Sequence, residues 1–533
     1  MRKIGERVMK EFYRRYQKPI IFSFIFTLIC FGFMLTNFTV TIDEETWLLG
    51  NEESILWLLQ GRISIWLFNL LFTQGGNYAP FLWDFCAVIL WSISGIIFAY
   101  ALLRGRNEKQ SHMFIFLAYY SSLPYVVGEI LSFSLFNLQI GLAMVAVAAA
   151  FVFTMRYWKN GEKRATLWIF LLLIYSFGTY QAMICVYVTA VAAYCLLRVL
   201  DHNTENLGRN ILSGGIFCAG SAIVYYGIFL LIGRFVGTAG YLTDNYSGWT
   251  SENPLLEVVK AVANVVRISF AIPYKERYIY GGGVICFVTT AFVIYSIWRF
   301  FKAKSAKERL SVFFYSVALC VAPFSLYIVL ATSMTHGRML LALPFAGAVE
   351  IVLILETLTK RRLQIISFVV AGLLLFFNAR NMNMIFYYSH LVYEKDCDLA
   401  AMLMYDIEKE GIDYHEKPIA FIGMIEEDSL PIQKIDALGS SIFAWDEGNN
   451  TRMEDFIRTR GYAVETADAE KMQEALQETD SMQTWPQENS IKELENVIVV
   501  YLSEPTVIIP GFFEPPVRIL RATIPENESH AFR

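Results

Sequence analysis

Residues 19–45 read PIIFSFIFTLICFGFMLTNFTVTIDEE, an apolar segment that ends on the adjacent acids Asp43, Glu44 and Glu45. A helix needs about 20 apolar residues to cross a bilayer core of about 30 Å. The segment is too long for a cleavable signal peptide, and no small-residue cleavage site follows it. It therefore predicts a membrane anchor with carboxylates directly at the membrane surface where the anchor ends.

The composition of the whole chain is that of a membrane protein. Of its 533 residues, 55% are hydrophobic and only 17% are charged, whereas a soluble globular chain carries about 25% charge. The net charge of -5 argues against a nucleic-acid partner. The eight cysteines lack the spacing of a metal site, and most lie in apolar segments, where packing is their usual role.

Further apolar segments recur until about residue 380 and then stop. We predict eleven membrane spans, at 19–40, 81–103, 112–128, 133–155, 165–178, 180–198, 210–234, 283–301, 310–332, 339–358 and 363–380. Only Gly178 and Thr179 separate the fifth span from the sixth. That pair could be one bent element or two short helices inside the bundle.

Lysine and arginine alternate between the predicted loops. They are frequent in the tail 1–18 and in the loops near 104–109, 156–164, 198–209, 299–309 and 360–362, and sparse in the others. Because basic residues concentrate in cytoplasmic loops, the N-terminus is predicted to be cytoplasmic and the C-terminus extracytoplasmic. We expect a basic N-tail at 1–18, a membrane domain at 19–390 and an outer domain at 391–533, in a bacterial cytoplasmic membrane.

The C-terminal 143 residues regain charge and alternate strand and helix patterns. Buried strands are predicted at 418–423 and 497–502, and helices at 396–410, 452–461 and 467–479. This order predicts a small α/β domain. No nucleotide-binding fingerprint is present in it, so it is expected to be a lid or docking module. The predicted fold class is thus mainly α, a polytopic membrane protein with a small extracytoplasmic α/β domain.

The acidic cluster allows two interpretations. A carboxylate at the membrane surface can act as a general base for a sugar hydroxyl. Alternatively, Asp43 is the N-cap of a helix that begins with Glu44 and Glu45. The stretch 44–72 that follows mixes tryptophans with charges, which predicts interfacial helices, although a plain loop with membrane anchors would show a similar pattern.

Other polar residues fall at the predicted outer ends of spans. Tyr180 and Gln181 could line an outward cavity together with Glu129, Asn137 and Gln139, or could simply bind interfacial water. In the outer loop 235–282, Lys275 and Arg277 lie among tyrosines and suit a sugar phosphate, although they could equally anchor the next helix. Arg338 offers a planar fork for phosphate, although a snorkelling arginine is the alternative.

Carboxylates, interfacial helices and basic residues thus collect on one predicted face, the expected layout for an enzyme with a lipid-phosphate substrate. The chain resembles the Gtr type II glucosyltransferases, membrane enzymes of the GT-C fold, over about residues 15–390. The resemblance lies in four short motifs: Ile42-Asp43-Glu44-Glu45, Gly61-Arg62, Ser176-Phe177-Gly178-Thr179-Tyr180-Gln181-Ala182 and Gly337-Arg338.

The resemblance implies transfer of a sugar, usually glucose, from a polyprenyl-phosphate donor to a surface glycan on the outer face. It implies an inverting displacement without a metal or other cofactor. Asp43 would be the general base and Glu44 its companion, and Glu45 adds a third acid to a family signature that usually has two. Arg338 would hold the donor phosphate. Tyr180 and Gln181 would shape the sugar pocket, and Arg62 would contact substrate.

Three other functions fit a chain of this composition, and one of them, a structural or assembly protein, would leave Asp43 and Glu44 unexplained. A flippase or transporter of lipid-linked sugars would need a polar path across the membrane, and often shows inverted repeats, which are not evident in this sequence. A glycan polymerase with a lipid-linked oligosaccharide donor would depend on outer-loop arginines more than on acids after the first span.

Overall fold

The structure is a computed structural model that describes residues 2–49, 55–73, 79–104, 106, 109–237, 247–273, 279–332, 336–426 and 438–505. The chain divides into two compact units. The first comprises Met1–Phe38 and Glu53–Phe386, and the second comprises Thr39–Glu52 and Tyr387–Arg533. The acidic cluster therefore belongs to the same unit as the C-terminal α/β part.

The regular secondary structure of the first unit, over its described residues, consists of helices. Its longer α-helices are Arg2–Thr36, Pro80–Leu103, Gln110–Tyr120, Asn137–Asn160, Arg164–Thr179, Met183–Leu200, Leu207–Val236, Pro254–Ser269, Gly282–Lys302, Ala306–Val321 and Leu343–Glu356. Shorter helical segments are Ile55–Leu59, Ile63–Phe72, Pro124–Gly128, Glu129–Leu131, Gly248–Thr250, Ala322–Phe324, Ser325–Leu330 and Gly337–Met339. The helix Arg361–Lys409 belongs to this unit up to Phe386.

Eight helices in the described part of the chain are long and apolar enough to cross a membrane, or nine if a bent pair is one span. The predicted count of eleven is therefore not confirmed. Arg164–Thr179 has only 16 residues and Leu343–Glu356 only 14. At about 1.5 Å per residue, both are shorter than a bilayer core of about 30 Å. An apolar sequence shows that a helix is buried, but not whether lipid or other helices surround it.

Two local features of the bundle matter for the site. The predicted span at 112–128 is bent by 44° between Gln110–Tyr120 and Pro124–Leu131, with a π-helical turn at Pro124–Gly128. The predicted break at 178–179 is confirmed, because one helix ends at Thr179, Tyr180 is extended and the next helix begins at Met183. Both irregular segments carry candidate site residues, as is common for π-turns and broken helices.

The two stretches predicted to lie on the outer face, 44–72 and 235–282, both contain helices, although helices were predicted only in the first. Within 44–72 the structure has Glu44–Leu48, Ile55–Leu59 and Ile63–Phe72. Within 235–282 it has Pro254–Ser269, whose exposed Leu255, Val259, Val262 and Val266 recur at helical spacing and form one apolar face. Such a face suits a helix that lies in the membrane interface. That placement stays a prediction.

The second unit contains a three-stranded sheet in the order β1-β3-β2, with β1 Ile419–Ile422, β2 Ile491–Glu493 and β3 Ile498–Tyr501. The strands β1 and β3 are parallel, and β2 is antiparallel to β3. The two predicted strands are confirmed. The third, β2, was missed because Ile491-Lys492-Glu493 is too short and polar to show a pattern.

The helices of this unit, within its described residues, are Glu44–Leu48, the end of Arg361–Lys409 from Tyr387 onward, Trp445–Glu447, Asn450–Thr459, Ala469–Glu478 and Thr479–Ser481. Two predicted tail helices, 452–461 and 467–479, are confirmed to within two residues. The predicted helix at 396–410 is confirmed up to Lys409, but it is the last part of the 49-residue helix Arg361–Lys409 and does not begin at 396. Nothing in this segment, neither proline nor glycine, breaks the helix after the last predicted span.

The sheet packs on the helix Ala469–Glu478 through a hydrophobic core. This core includes the fully buried side chains of Ile422, Met472, Val497 and Val499. On the other side, the Asn450 side chain covers the edge of β1. Its Nδ2 donates to the Phe421 carbonyl and its Oδ1 accepts from the Phe421 N–H, both at 2.7 Å. One side chain thus satisfies both backbone groups of a buried residue on an edge strand.

We expect Asn450→Ala to destabilise β1 by about 2 to 4 kcal/mol, because two buried backbone groups lose their partners. Hydrogen exchange of the full-length protein in detergent should show faster exchange at Phe421. Gln473→Ala, at an exposed position of the helix Ala469–Glu478, is the control and should leave this exchange unchanged. Equal exchange in both variants would show that the edge is held in another way.

Candidate active site

The acidic loop has an unusual backbone at its first acid. Asp43 immediately precedes the helix Glu44–Leu48 and adopts the left-handed conformation, with φ 73° and ψ -13°. This conformation costs a residue with a side chain about 1–2 kcal/mol, although Asp tolerates it better than most. Asp43 does precede a helix, but its side chain makes no N-cap hydrogen bond. Its carboxylate is directed elsewhere.

Glu44 closes the loop on itself. Its Oε2 accepts a hydrogen bond from the Thr41 backbone N–H at 2.8 Å, and its side chain is fully buried. The contact links residues three apart and fixes the turn that leads into the helix. Glu44 therefore holds the loop, and its carboxylate is closed to solvent.

A guanidinium from the C-terminal part of the chain holds the other two acids. Arg452 donates from Nη2 to Asp43 Oδ1 at 3.0 Å and from Nη1 to Glu45 Oε1 at 2.6 Å. Its Nε donates to Asp446 Oδ2 at 2.7 Å. The Arg452 side chain is 7% exposed and that of Glu45 is 0% exposed, whereas that of Asp43 is 51% exposed. Of the three acids in the loop, Asp43 is thus the one that solvent and solutes can reach.

Burial sets the electrostatics of this cluster. It raises the pKa of Glu45 to about 7, although the Arg452 guanidinium opposes the shift. Burial alone would lower the pKa of Arg452, but Asp43, Glu45 and Asp446 together raise it above its usual value. The second oxygen of Glu45, Oε2, is buried and has no hydrogen-bond partner among the described residues. Breaking such a pair would leave an uncompensated buried charge, which typically costs about 3–5 kcal/mol.

In the first unit, a hydrogen-bond network joins two of the sequence motifs. The Gln181 side-chain amide donates to the Tyr225 hydroxyl at 2.9 Å, and that hydroxyl donates to the Gly61 carbonyl at 2.9 Å. Gly61 has a φ of +75°, and a Cβ there would lie 2.7 Å from the Tyr225 hydroxyl. Only glycine fits this position easily, and it places Arg62 beside Tyr180.

Arg62 lies among aromatic rings. Its guanidinium carbon is 5.2 Å from the ring centre of Trp57, 5.6 Å from that of Phe136 and 5.4 Å from that of Tyr180. Each distance is within the range of a cation–π contact. Across the described part of the chain, the half-buried Arg62 forms no salt bridge with a carboxylate. Among the described residues, the contacts that stabilise its positive charge are therefore these ring faces.

Arg338, in contrast, is paired with an acid. Its Nη1 donates to Glu129 Oε1 at 3.0 Å, and the Glu129 side chain is 0% exposed. The Arg338 guanidinium also lies 5.5 Å from the Phe133 ring. Phe133 stacks on Phe136 at 5.3 Å, so one aromatic row runs from Arg338 to Arg62. We call these two arginines with Phe133, Phe136, Tyr180 and Trp57 the arginine–aromatic cluster.

Gly337 explains the second glycine–arginine motif. A Cβ at this position would lie 1.8 Å from the Tyr125 carbonyl oxygen and 2.7 Å from Glu129 Oε2. The chain therefore passes directly against the π-helical turn Pro124–Gly128, and this contact sets Arg338 beside Glu129.

The structure thus brings some predicted residues together. Arg62, Tyr180 and Gln181 are neighbours, and Arg338 joins them through the aromatic row. Asp43, Glu44 and Glu45 form a separate group in the second unit. Lys275 and Arg277 lie outside the described residues. Asn137 and Gln139, considered as cavity residues, are buried and donate to Asp84 and Asn69.

Sequence reasoning missed Arg452 and the aromatic row. Arg452 is 407 positions from Glu45, and one arginine in a charged tail carries no signal of its own. Phe133 and Phe136 lie in an apolar segment in which phenylalanine is unremarkable. The spacing of three residues that stacks these two rings could have been noticed, but only with Arg62 and Arg338 already placed.

We expect Gly337→Ala to destabilise the membrane part by about 1–3 kcal/mol or more, because the added methyl group meets a backbone carbonyl that cannot rotate away. Thermal unfolding in detergent measures the effect. Gly283→Ala is the matched control, since a Cβ at that position meets no atom within 4 Å. Similar melting temperatures for the two variants would contradict the close approach.

Comparison with known proteins agrees with the family resemblance that the acidic and glycine–arginine motifs indicated. The family model described as Glucosyl transferase GtrII matches residues 32–355, more than half of the chain, and this range includes the acidic loop and the arginine–aromatic cluster. No curated protein and no solved structure matches the chain. The matched range establishes that this chain belongs to the GtrII glucosyltransferase family.

Proposed function

We propose that this glucosyltransferase moves glucose from a polyprenyl-phosphate donor to a cell-surface glycan on the outer face of a bacterial cytoplasmic membrane. Family membership supplies the glucosyl transfer. The donor class is supported by the arginine–aromatic cluster, in a unit made of apolar helices. The lipid tail of such a donor would remain in the bilayer, while its phosphate and sugar would contact polar residues at the membrane surface.

The observation that carries the proposal is the environment of Arg62. A half-buried guanidinium that has aromatic neighbours, and no carboxylate partner within the described ranges, keeps its positive charge for a ligand. Arginine binds phosphate with two parallel hydrogen bonds. Arg62 is therefore the principal phosphate ligand, and Arg338, which shares its charge with Glu129, is the second.

In the proposed reaction, Asp43 takes the proton of an acceptor hydroxyl, and the hydroxyl oxygen attacks the anomeric carbon of the donor. The bond from that carbon to the phosphate oxygen breaks, and polyprenyl phosphate leaves with the bonding electrons. Fixed cations stabilise the negative charge that develops on the leaving phosphate. A single displacement of this kind inverts the anomeric centre.

The other acids have supporting roles. Glu44 is fully buried and bonded to Thr41, so it fixes the loop and does not contact substrate. Glu45 is fully buried against Arg452. Tyr180 is 6% exposed and stacks on Phe136, and Gln181 holds Tyr225, so both residues would fix the surroundings of Arg62 on which the sugar and its phosphate bind. No metal takes part in this scheme, as the family resemblance implies.

Sugar transfer in proteoliposomes tests the proposal. With polyprenyl-phosphate glucose and candidate acceptor glycans, we expect Asp43→Asn to lower kcat about 100-fold or more, because the acceptor loses its base. Arg62→Gln should lower kcat/KM by a similar factor, because the leaving phosphate loses its cation. EDTA should not change the rate.

Two variants control for charge and folding. Asp398→Asn and Arg362→Gln each remove one charge at an exposed position and should retain wild-type turnover. Full activity of Asp43→Asn would refute the role of the base. Absence of transfer by folded wild-type protein with any lipid-linked monosaccharide would favour a flippase or a polymerase instead.

The proposed orientation has its own test. An alkaline phosphatase domain, which is active only outside the cytoplasm, should be active when fused to the C-terminus and inactive when fused to the N-terminus. The distribution of lysine and arginine in the loops is the reason for this expectation. Activity of the N-terminal fusion would reverse the assignment.

A further inference from the structure

We propose that Arg452 is a positioning residue for glucosyl transfer and that the C-terminal α/β part holds the acidic loop in its reactive geometry through this side chain. The inference rests on the proposed function, because it takes Asp43 as the general base. It assigns a role to a part of the chain that lies beyond the family match at residues 32–355.

The first argument is the geometry of the guanidinium. Three of its nitrogens each donate to a different carboxylate, two of them in the acidic loop and one, Asp446, in the C-terminal part. Only arginine can do this, because its five N–H groups form a rigid planar fork. A lysine ammonium could replace the charge, but it could not fix three carboxylates in one plane.

The second argument is that Arg452 is itself firmly held. It belongs to the first turn of the helix Asn450–Thr459, where the Asn449 side chain accepts hydrogen bonds from the backbone N–H groups of Thr451 and Arg452. Asn450, two positions earlier, is bonded to strand β1 through both polar atoms of its side chain. The position of the guanidinium is thus set by the sheet.

A second contact joins the same helix to the loop. The Thr46 hydroxyl donates to Asp455 Oδ2 at 2.7 Å. Asp455 lies three residues after Arg452, on the same face of the helix. Two contacts one turn apart fix both the position of the loop and its rotation, which a single ion pair would leave free.

The third argument is the state of Asp43 itself. Its backbone is left-handed, and such conformations persist only where the surroundings impose them. Among the described residues, Arg452 is the hydrogen-bond partner of its carboxylate, through Oδ1. The half-exposed side chain keeps Oδ2 for an acceptor hydroxyl. Arg452 therefore orients the base and contacts neither sugar nor phosphate.

The test compares Arg452→Gln and Arg452→Lys with Arg458→Gln in the full-length protein in proteoliposomes. Arg458 is the matched control, since it lies on the same helix, is 38% exposed and pairs only with Glu454 among described acids. Two quantities are measured: hydrogen exchange of the amides at 39–49, and kcat and KM for polyprenyl-phosphate glucose.

For Arg452→Gln, we expect exchange at 39–49 to rise while strands β1 and β3 stay protected. We expect kcat to fall about 100-fold with KM for the donor unchanged within about twofold, because a displaced base slows the reaction without weakening donor binding. Arg452→Lys should recover part of kcat, and Arg458→Gln should match the wild type. If Arg452→Gln does not fold, Arg452→Lys carries the comparison, with a smaller loss of kcat expected.

The outcomes separate this inference from the proposed function. Unchanged exchange at 39–49, or unchanged kcat in a folded Arg452 variant, would overturn the positioning role while transfer by the wild type still stood. A loss confined to donor KM would also overturn it. If Arg452→Gln raises exchange at 39–49 but the wild type transfers no sugar, Arg452 does hold the loop. The assigned reaction would then be overturned.

Discussion

One buried guanidinium holds the acidic loop to the C-terminal part of the chain. Asp43, Glu45 and Asp446 would repel one another if they were brought together alone, and Arg452 makes their proximity favourable. The arrangement is asymmetric, because Glu45 and Arg452 are buried whereas Asp43 remains half exposed. The buried pair anchors the loop, and the exposed acid stays accessible to solutes.

In the first unit, the charges that need stabilisation are the positive charges of two arginines, Arg62 and Arg338. Arg338 has a buried carboxylate beside it, whereas Arg62 has aromatic rings. A cation against ring faces is stabilised without being neutralised, so it can still attract an anion. The two arginines at the ends of one aromatic row therefore differ in how much charge they can offer a ligand.

The sequence predicted the helical membrane class, the break after Thr179 and two strands of the tail, because each depends on a local pattern of apolar residues. The number of membrane spans could not be predicted from these patterns, because the short helix Leu343–Glu356 is as apolar as a helix that spans the membrane. The motifs located Arg62, Tyr180, Gln181 and Arg338, which the fold brings together. Arg452 could not be found, because its partners lie 407 and 409 positions away.

The second unit is discontinuous in sequence, with Thr39–Glu52 packed among residues from Tyr387 onward. The family match covers the acidic loop but ends at residue 355, before Arg452, the cation that pairs with Asp43 and Glu45. A chimera that exchanged only the C-terminal part of this chain would separate these carboxylates from that arginine. The smallest module that could be exchanged intact is therefore the tail together with residues 39–52.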